Sequence, residues 1–186
     1  MKNINWWKTS LGTDEQRAVL SAMDNKKIVM GDVTRSLEKK ISDLLGVPYV
    51  VVCTNGSAAL YMALTALDIG KGDEVLIPNR TYVATANAVL LAGAEISLID
   101  VVRNGTSIDT DQIEEKIKDN TKAIIPVHLN GRSADMLRIN EISNSYGLKV
   151  VEDSCQSIFS KFKNKFLGTY GDIGCFSLGV TKLITT

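Results

Sequence analysis

Short apolar runs alternate with helix-like segments along most of this chain, and this alternation is the feature that most restricts its fold. Runs such as Glu74–Ile77 and Ala123–Val127 have the length and apolar character of buried strands. The intervening segments suit helices: Asp109–Lys118 opens with acids and ends with lysines, which matches the helix dipole. Strands separated by helices pair in parallel. We therefore predict an α/β fold with a mostly parallel sheet between helices.

The other predicted elements follow the same order, and two helices precede the first strand. Residues 1–48 are predicted to form a helical segment that packs on the large domain or on a partner subunit, and residues 49–186 to form the large domain. The predicted helices are Thr13–Lys26, Thr34–Leu45, Ser57–Leu67, Thr81–Ala92, Asp109–Lys118 and Ala134–Tyr146. The predicted strands are Tyr49–Cys53, Glu74–Ile77, Glu95–Asp100, Ala123–Val127, Leu148–Glu152 and the strand-like run Ile173–Ser177.

Composition argues against several classes of function. Twenty-one basic residues balance 21 acidic ones, so no basic surface for nucleic acid or an anionic membrane is expected. The opening MKNINWWKTS lacks the apolar core of a signal peptide, and no apolar run approaches the ~20 residues of a spanning helix. Three cysteines without a CxxC pair, with one histidine, argue against a disulfide scaffold and a zinc site. We expect a cytoplasmic protein with reduced thiols.

Ligands of parallel α/β sheets bind beyond the carboxyl ends of the strands. This rule selects Thr54–Ser57, Pro78–Tyr82, Pro126–Asn130 and Asp153–Gln156. In the first of these segments, Gly56 would let a phosphate approach the free N–H groups of a helix N-terminus, and Ser57 could add its hydroxyl. The alternative is a plain strand-to-helix turn with Ser57 as N-cap.

Three further residues add the chemistry of pyridoxal phosphate to this phosphate cradle. An acid at a strand end, Asp153, can keep a pyridine nitrogen protonated, and Gln156 follows it by three residues. Lys182 stands among small and apolar residues, where desolvation favours the neutral amine that attacks an aldehyde. The alternatives are a solvated or capping acid and a surface lysine.

Two ring side chains at the same edge are open to two interpretations. Tyr82 could stack on a flat cofactor ring or could belong to the core. His128, the only histidine, could act in proton transfer or could be a structural histidine bonded to the backbone.

The order and spacing of these motifs resemble the DegT/StrS sugar aminotransferases, which are pyridoxal phosphate enzymes of fold type I. The resemblance covers essentially the whole chain and implies the three-layer α/β/α large domain, truncated before the small C-terminal domain. Relatives run about twice as long and dimerise with shared sites, so that this chain alone is expected to be inactive. The matching segments are LGTDEQRAVL, TNGSAAL, KGDEVLIPNRTYVATANAVLLAGA, AIIPVHLNGRSADM, VVEDSCQS and GDIGCFSLGVTK.

The resemblance also implies a role for each candidate residue. Lys182 would form the internal aldimine with pyridoxal 5'-phosphate and then move the proton, Asp153 would pair with the pyridine nitrogen, and His128 would line the pocket. Gln156 would bond the ring hydroxyl oxygen, and Tyr82 would stack on the ring. The phosphate would be held by Gly56, Ser57, Ala58 and Ser177.

The implied reaction moves an amino group, usually from L-glutamate, to a keto group of a nucleotide-linked sugar in amino-sugar and polysaccharide biosynthesis. Deoxysugar dehydratases of the family carry histidine in place of the lysine, so Lys182 favours amino transfer. Arg80 and Asn130 depart from the residues common in relatives, which leaves the sugar open. Two rival functions remain: a catalytically incomplete subunit that serves as a binding module, and a different fold-type-I reaction such as elimination or racemisation.

Overall fold

A computed structural model describes residues 8–185 of the chain. Its helices are α1 (Thr13–Asp24), α2 (Asp32–Leu45), α3 (Gly56–Ala66), α4 (Ala84–Ala92), α5 (Ile113–Lys116) and α6 (Met136–Tyr146), with 3₁₀ turns at Thr110–Gln112 and Leu129–Gly131. Its strands are β1 (Glu74–Pro78), β2 (Glu95–Ile99), β3 (Thr121–Ile124), β4 (Lys149–Asp153), β5 (Lys161–Phe162), β6 (Lys165–Phe166) and β7 (Ile173–Cys175). None of the helices in this part of the chain is long and apolar enough to cross a membrane.

The described residues divide into two compact units, one of residues 8–52 with Thr185 and one of Cys53–Ile184. The predicted boundary between residues 48 and 49 stays a prediction, and residues 1–7 and 186 of the two predicted domains lie outside the described residues. In the first unit, the Glu15 carboxylate caps α1 by accepting the Gly12 N–H at 2.6 Å, which lowers the pKa of Glu15. Gly46 ends α2 with a φ of +69°, the left-handed conformation that glycine favours.

The second unit is built on a five-stranded sheet in the order β2-β1-β3-β4-β7. Every neighbouring pair in this sheet is parallel. Helices connect most of these strands, as the alternating sequence pattern requires. The predicted fold class, an α/β fold with a mostly parallel sheet, is confirmed.

Two apolar clusters cover the two faces of the sheet. On one face Val75 and Ile77 of β1 pack with α3 and α4, and on the other face Leu76 packs with α6. This split follows from the strand period of two, because successive side chains point to opposite faces. The same alternation in β4 sends Val151 to the first cluster and Val150 to the second. The unit therefore has three layers, with helices on both faces of the sheet.

Three sequence predictions were wrong in detail. Tyr49–Cys53 is not a strand: Tyr49 and Val51 are 86% and 71% exposed, and none of the described strands pairs with this run. An apolar run becomes a strand only when a neighbour completes its hydrogen bonds. The predicted helix Asp109–Lys118 shortens to a 3₁₀ turn and the four residues of α5. The predicted helix Thr81–Ala92 begins only at Ala84.

A short antiparallel hairpin, β5 with β6, follows β4 and has no counterpart in the predicted elements. Its lysines lie over aromatic rings: Lys161 Nζ is 4.4 Å from the centroid of Phe166, and Lys165 Nζ is 4.7 Å from that of Tyr170. Such cation–π contacts let an alternating Lys-Phe sequence pack without a large apolar face.

Candidate active site

A cavity opens at the carboxyl ends of the parallel strands, within the second unit. It encloses about 550 Å³ of empty space, part of it open to solvent. Its walls come from the segments after β1, β3, β4 and β7 and from the N-terminus of α3. Of the residues predicted for the site, it brings together Gly56, Ser57, Tyr82, Asp153, Gln156, Ser177 and Lys182. Ligands of open parallel sheets bind at this edge.

Asp153, the last residue of β4, is held rigidly at the floor of the cavity. Its Oδ2 accepts the hydroxyl of Thr85 at 2.7 Å, and its Oδ1 accepts the N–H of Cys155 at 3.2 Å. The Thr85 hydroxyl donates its one proton to Asp153. In its contact with the Thr81 hydroxyl, at 2.8 Å, the Thr85 oxygen is therefore the acceptor. These bonds fix a negative charge against the cavity in a residue only 6% exposed.

The N-terminus of α3 forms one wall, and Gly56 is its tightest point. A Cβ atom on Gly56 would lie 2.7 Å from the Sγ of Cys155 and 3.0 Å from the Cβ of Ser177, which leaves room only for glycine. The N–H groups of Gly56 and Ser57 have no acceptor within the helix, because they belong to its first turn. They can therefore bind an anion beside the cavity.

Asn55, not Ser57, caps this helix. Its side-chain oxygen accepts the N–H of Ala58 at 2.9 Å. The N–H of Ala58 is thus engaged within the turn, and Ala58 is not among the residues that line the cavity. The structure therefore argues against the predicted phosphate contact of Ala58, while Gly56 and Ser57 keep theirs as predictions.

The Lys182 side chain reaches the cavity from the turn that follows β7. Its backbone N–H donates to the carbonyl of Gly179 at 2.8 Å, which folds the chain back towards the sheet. The residue is half-buried and lines the same cavity as Asp153. The Cys155 thiol lies beside them, and burial, followed by the charge of Asp153, raises its pKa far above the ordinary value. Cys155 is therefore a protonated thiol, and the nucleophilic role of Lys182 stays a prediction.

Gln156 is oriented by a backbone contact from across the cavity edge. Its side-chain Oε1 accepts the N–H of Asn130 at 3.0 Å. Asn130 and Gly131 both have left-handed backbones, with φ of +56° and +76°, which turns this N–H towards Gln156. Since the oxygen is engaged, the amide Nε2 remains as a donor for a ligand.

His128 does not reach the cavity, contrary to the prediction. Its side chain is completely buried, and Nε2 lies 3.0 Å from the Oε2 of Glu152 while Nδ1 accepts the N–H of Ala134 at 3.3 Å. Glu152 and Asp153 are consecutive in β4, so their side chains lie on opposite faces of the sheet. The structural interpretation of His128 fits these contacts, and the proton-transfer role does not.

Sequence reasoning missed three residues that shape the site. Thr85 carries a periodic signal, because Thr81 and Thr85 stand one helical turn apart in a segment that follows a strand end. Glu152 is an acid in the middle of a buried strand, a position that requires a partner. Asn55 follows the usual preference for N-caps, but the competing Ser57 obscured it.

Curated relatives share much of this sequence. The chain is 42% identical over 160 residues to the UDP-N-acetyl-3-dehydro-alpha-D-glucosamine 3-aminotransferase of Acidithiobacillus ferrooxidans, covering 86% of this chain and 43% of the relative. It is 38% identical over 187 residues to the GDP-perosamine synthase of Escherichia coli O157:H7, covering 100% of this chain and 51% of the relative. The chain thus spans about half the length of these relatives.

Solved structures share the fold. NtdA from Bacillus subtilis, with bound pyridoxamine phosphate, matches with a TM-score of 0.86 and 36% identity over 93% of this chain and 39% of its own. The GDP-4-keto-6-deoxymannose-3-dehydratase ColD, bound to GDP-perosamine, matches with a TM-score of 0.94 and 28% identity over 98% of this chain and 49% of its own. The fold is that of the large domain of fold-type-I pyridoxal phosphate enzymes, as predicted.

A family match covers nearly the whole chain. Residues 9–186 match the DegT/DnrJ/EryC1/StrS aminotransferase family, in agreement with the resemblance of the six sequence segments. This range contains every residue that lines the cavity. The chain belongs to the DegT/DnrJ/EryC1/StrS aminotransferase family.

Proposed function

We propose that this chain forms the cofactor-binding part of an enzyme that transfers an amino group from L-glutamate to a keto group of a nucleotide-linked sugar. The observation that carries the proposal is the meeting of Lys182, Asp153, Gln156 and Gly56 at one cavity. The cofactor is pyridoxal 5'-phosphate, in line with the family and with the pyridoxamine phosphate held by NtdA. When bound, this group accepts the amino group from the donor and delivers it to the acceptor.

The residues present fit such a cofactor. The amine of Lys182 suits the aldehyde of the cofactor, and the fixed carboxylate of Asp153 suits its pyridine nitrogen. The first N–H groups of α3 suit its phosphate. Gly56 lets the N-terminus of α3 pack directly against Cys155 and Ser177, because a Cβ there would lie 2.7 Å from the Cys155 Sγ, and this packing keeps the turn beside the cavity.

Lys182 and Asp153 would carry the chemical steps. Lys182 would bind the cofactor covalently through Nζ and, once released by the donor, would take a proton from the donor carbon and return it to the acceptor carbon. Asp153 would hold positive charge at the pyridine nitrogen, and its bonds from Thr85 and Cys155 keep the carboxylate in place.

Gln156, Tyr82 and Ser177 would hold and orient the cofactor. The Nε2 of Gln156 would donate to the ring oxygen, because its Oε1 is engaged by Asn130. Tyr82 is 65% exposed at the cavity wall and would cover one ring face. Ser177 would add its hydroxyl to the N–H groups of Gly56 and Ser57 at the phosphate.

The acceptor is proposed from the relatives, whose names describe an aminotransferase of a UDP-linked sugar and a synthase of GDP-perosamine. The likeness to the dehydratase ColD leaves dehydration as a rival reaction on the same fold. Lys182 favours amino transfer, since an amine can both bind the cofactor and move the proton. In the proposed reaction glutamate becomes 2-oxoglutarate and the sugar ketone becomes an amine, with no net oxidation. A homodimer with shared sites stays a prediction.

An assay of the products separates these reactions. The chain is supplied with pyridoxal 5'-phosphate, L-glutamate and UDP- or GDP-linked keto sugars, alone and with a polypeptide that provides the remaining half of a family member. We expect equal amounts of 2-oxoglutarate and aminated sugar nucleotide. Ammonia release or loss of water from the sugar would point to elimination or dehydration. Cofactor binding without turnover under every condition would favour the second candidate, a binding module.

Gly56→Ala should lower cofactor affinity sharply. The new methyl group would overlap Cys155 Sγ at 2.7 Å and displace the turn that faces the phosphate. We expect an increase of on the order of 10²-fold in the dissociation constant of pyridoxal 5'-phosphate, measured by fluorescence titration, consistent with ~1–3 kcal/mol for overpacking. The double variant Gly56→Ala/Cys155→Ala removes the closest atom and should recover part of the affinity. Unchanged binding by Gly56→Ala would contradict the cradle.

A further inference from the structure

The Glu152 carboxylate lies on the other face of β4 and has four hydrogen-bond partners. It is completely buried, and its Oε1 accepts the N–H groups of Tyr170 at 2.5 Å and Gly171 at 2.7 Å. Its Oε2 accepts the N–H of Gly168 at 2.8 Å and contacts His128 Nε2 at 3.0 Å. Four donors saturate a carboxylate, so Glu152 is a fully satisfied buried anion that ties the segment before β7 to β4.

The contacts of His128 determine its tautomer. Its Nδ1 accepts the N–H of Ala134 and therefore carries no proton. The proton is consequently on Nε2, which donates to Glu152. The backbone N–H of His128 also donates to the carbonyl of Asp153 at 3.0 Å. His128 thus joins β4 to both ends of the turn that spans residues 128–134.

This turn carries the amide that orients Gln156. Gly131 N–H donates to the His128 carbonyl at 3.2 Å, and Arg132 N–H donates to the Leu129 carbonyl at 3.1 Å. These bonds, with the left-handed Asn130, leave the Asn130 N–H directed at Gln156 Oε1.

We propose that His128 and Glu152 are a pair of positioning residues that fix Gln156 in the cavity from the opposite face of the sheet. The pair holds the turn of residues 128–134, the turn holds the Gln156 oxygen, and the Gln156 amide N–H is thereby presented to the ligand. The same carboxylate fixes residues 168–171, which lead into β7 and Ser177. The benefit of this arrangement to a cofactor rests on the proposed function, but the arrangement itself does not.

Hydrogen exchange of the protein without cofactor tests the mechanical part. His128→Ala removes the hydrogen bond to the N–H of Ala134. Glu152→Gln replaces one carboxylate oxygen by an amide NH₂, which cannot accept the backbone N–H groups of residues 168–171. We expect amide exchange in peptides covering residues 128–134 and 168–171 to become about tenfold faster in both variants. Lys122→Ala, an exposed change in β3, is the control. Unchanged exchange in these peptides, with the fold intact by circular dichroism, would overturn the proposal.

A double-mutant cycle on cofactor affinity tests the route through Gln156. His128→Ala and Gln156→Ala should each weaken pyridoxal 5'-phosphate binding, and the double variant should lose little more than Gln156→Ala alone. His128→Gln, which keeps a donor of similar reach towards Glu152, should restore most of the affinity. Additive losses or failure of this rescue would mean that His128 serves general stability only.

The two experiments separate the two hypotheses. If the unchanged protein does not bind pyridoxal 5'-phosphate, the proposed function fails while the exchange rates still decide the positioning pair. If it binds and the cycle is additive, the function stands and the positioning role through Gln156 is rejected.

Discussion

We expect Lys182→Ala, assayed together with the polypeptide that provides the remaining half, to lose all covalent attachment of pyridoxal 5'-phosphate and to reduce amino transfer below detection. Among the described residues that line the cavity, Lys182 alone carries an amine. No other side chain there is expected to attack the aldehyde or move the proton. Borohydride reduction followed by peptide mapping should find the cofactor mass on the peptide with Lys182 in the unchanged protein and nowhere in the variant.

Lys122→Ala is the matched control for this experiment, because Lys122 is an exposed lysine of the same sheet. It should label and turn over like the unchanged protein. Labelling of Lys182→Ala at another lysine would show that attachment is a surface reaction. Full activity of Lys182→Ala would refute the proposed mechanism.

In the same assay with the remaining half, Asp153→Asn should leave the cofactor bound but slow amino transfer by on the order of 10²–10³-fold, the usual loss when one preorganised electrostatic partner is removed. The amide keeps the size of the side chain and can still bond Thr85 and the N–H of Cys155 in part, but it cannot balance positive charge on a pyridine nitrogen. The rate constant at saturating substrate and the absorption spectrum of the bound cofactor are the two measurements.

Asp100→Asn provides the comparison. Asp100 follows β2 at the same edge of the sheet and accepts hydrogen bonds from Asn79 and Val101, but it does not line the cavity. It should retain near-normal turnover. An equal loss in both variants would indicate a general effect of charge at this edge, and full activity of Asp153→Asn would exclude the proposed pairing with the pyridine nitrogen.

The centre of the sheet was predictable because β1 is buried along its whole length, and a continuous apolar run such as residues 75–78 is typical of such a strand in a chain with alternating helices. The same pattern failed at Tyr49–Cys53, since a strand also depends on a partner that is distant in sequence. The cavity followed from topology, because the carboxyl ends of parallel strands share one edge.

The contacts within the site were less accessible to sequence reasoning. His128 was assigned to the cavity because of its place after a strand, but its surroundings depend on Glu152, 24 residues away. Thr85 reaches Asp153 across 68 residues of sequence. Local patterns determine which residues stand at an edge, whereas the face that each side chain occupies depends on the strand and helix packed against it.

The opposite orientation of the two acids in β4 restricts how this gene can change in length. Inserting or deleting one codon within Lys149–Glu152 would shift the register of the strand by one residue. Glu152 would then face the cavity side of the sheet, and Asp153 would face the side of the loop amides. A change of two codons would preserve the faces and alter only the strand's reach. Natural length variation should therefore be absent from this strand and should collect in the β5–β6 hairpin, whose turn at Lys163 and Asn164 is exposed.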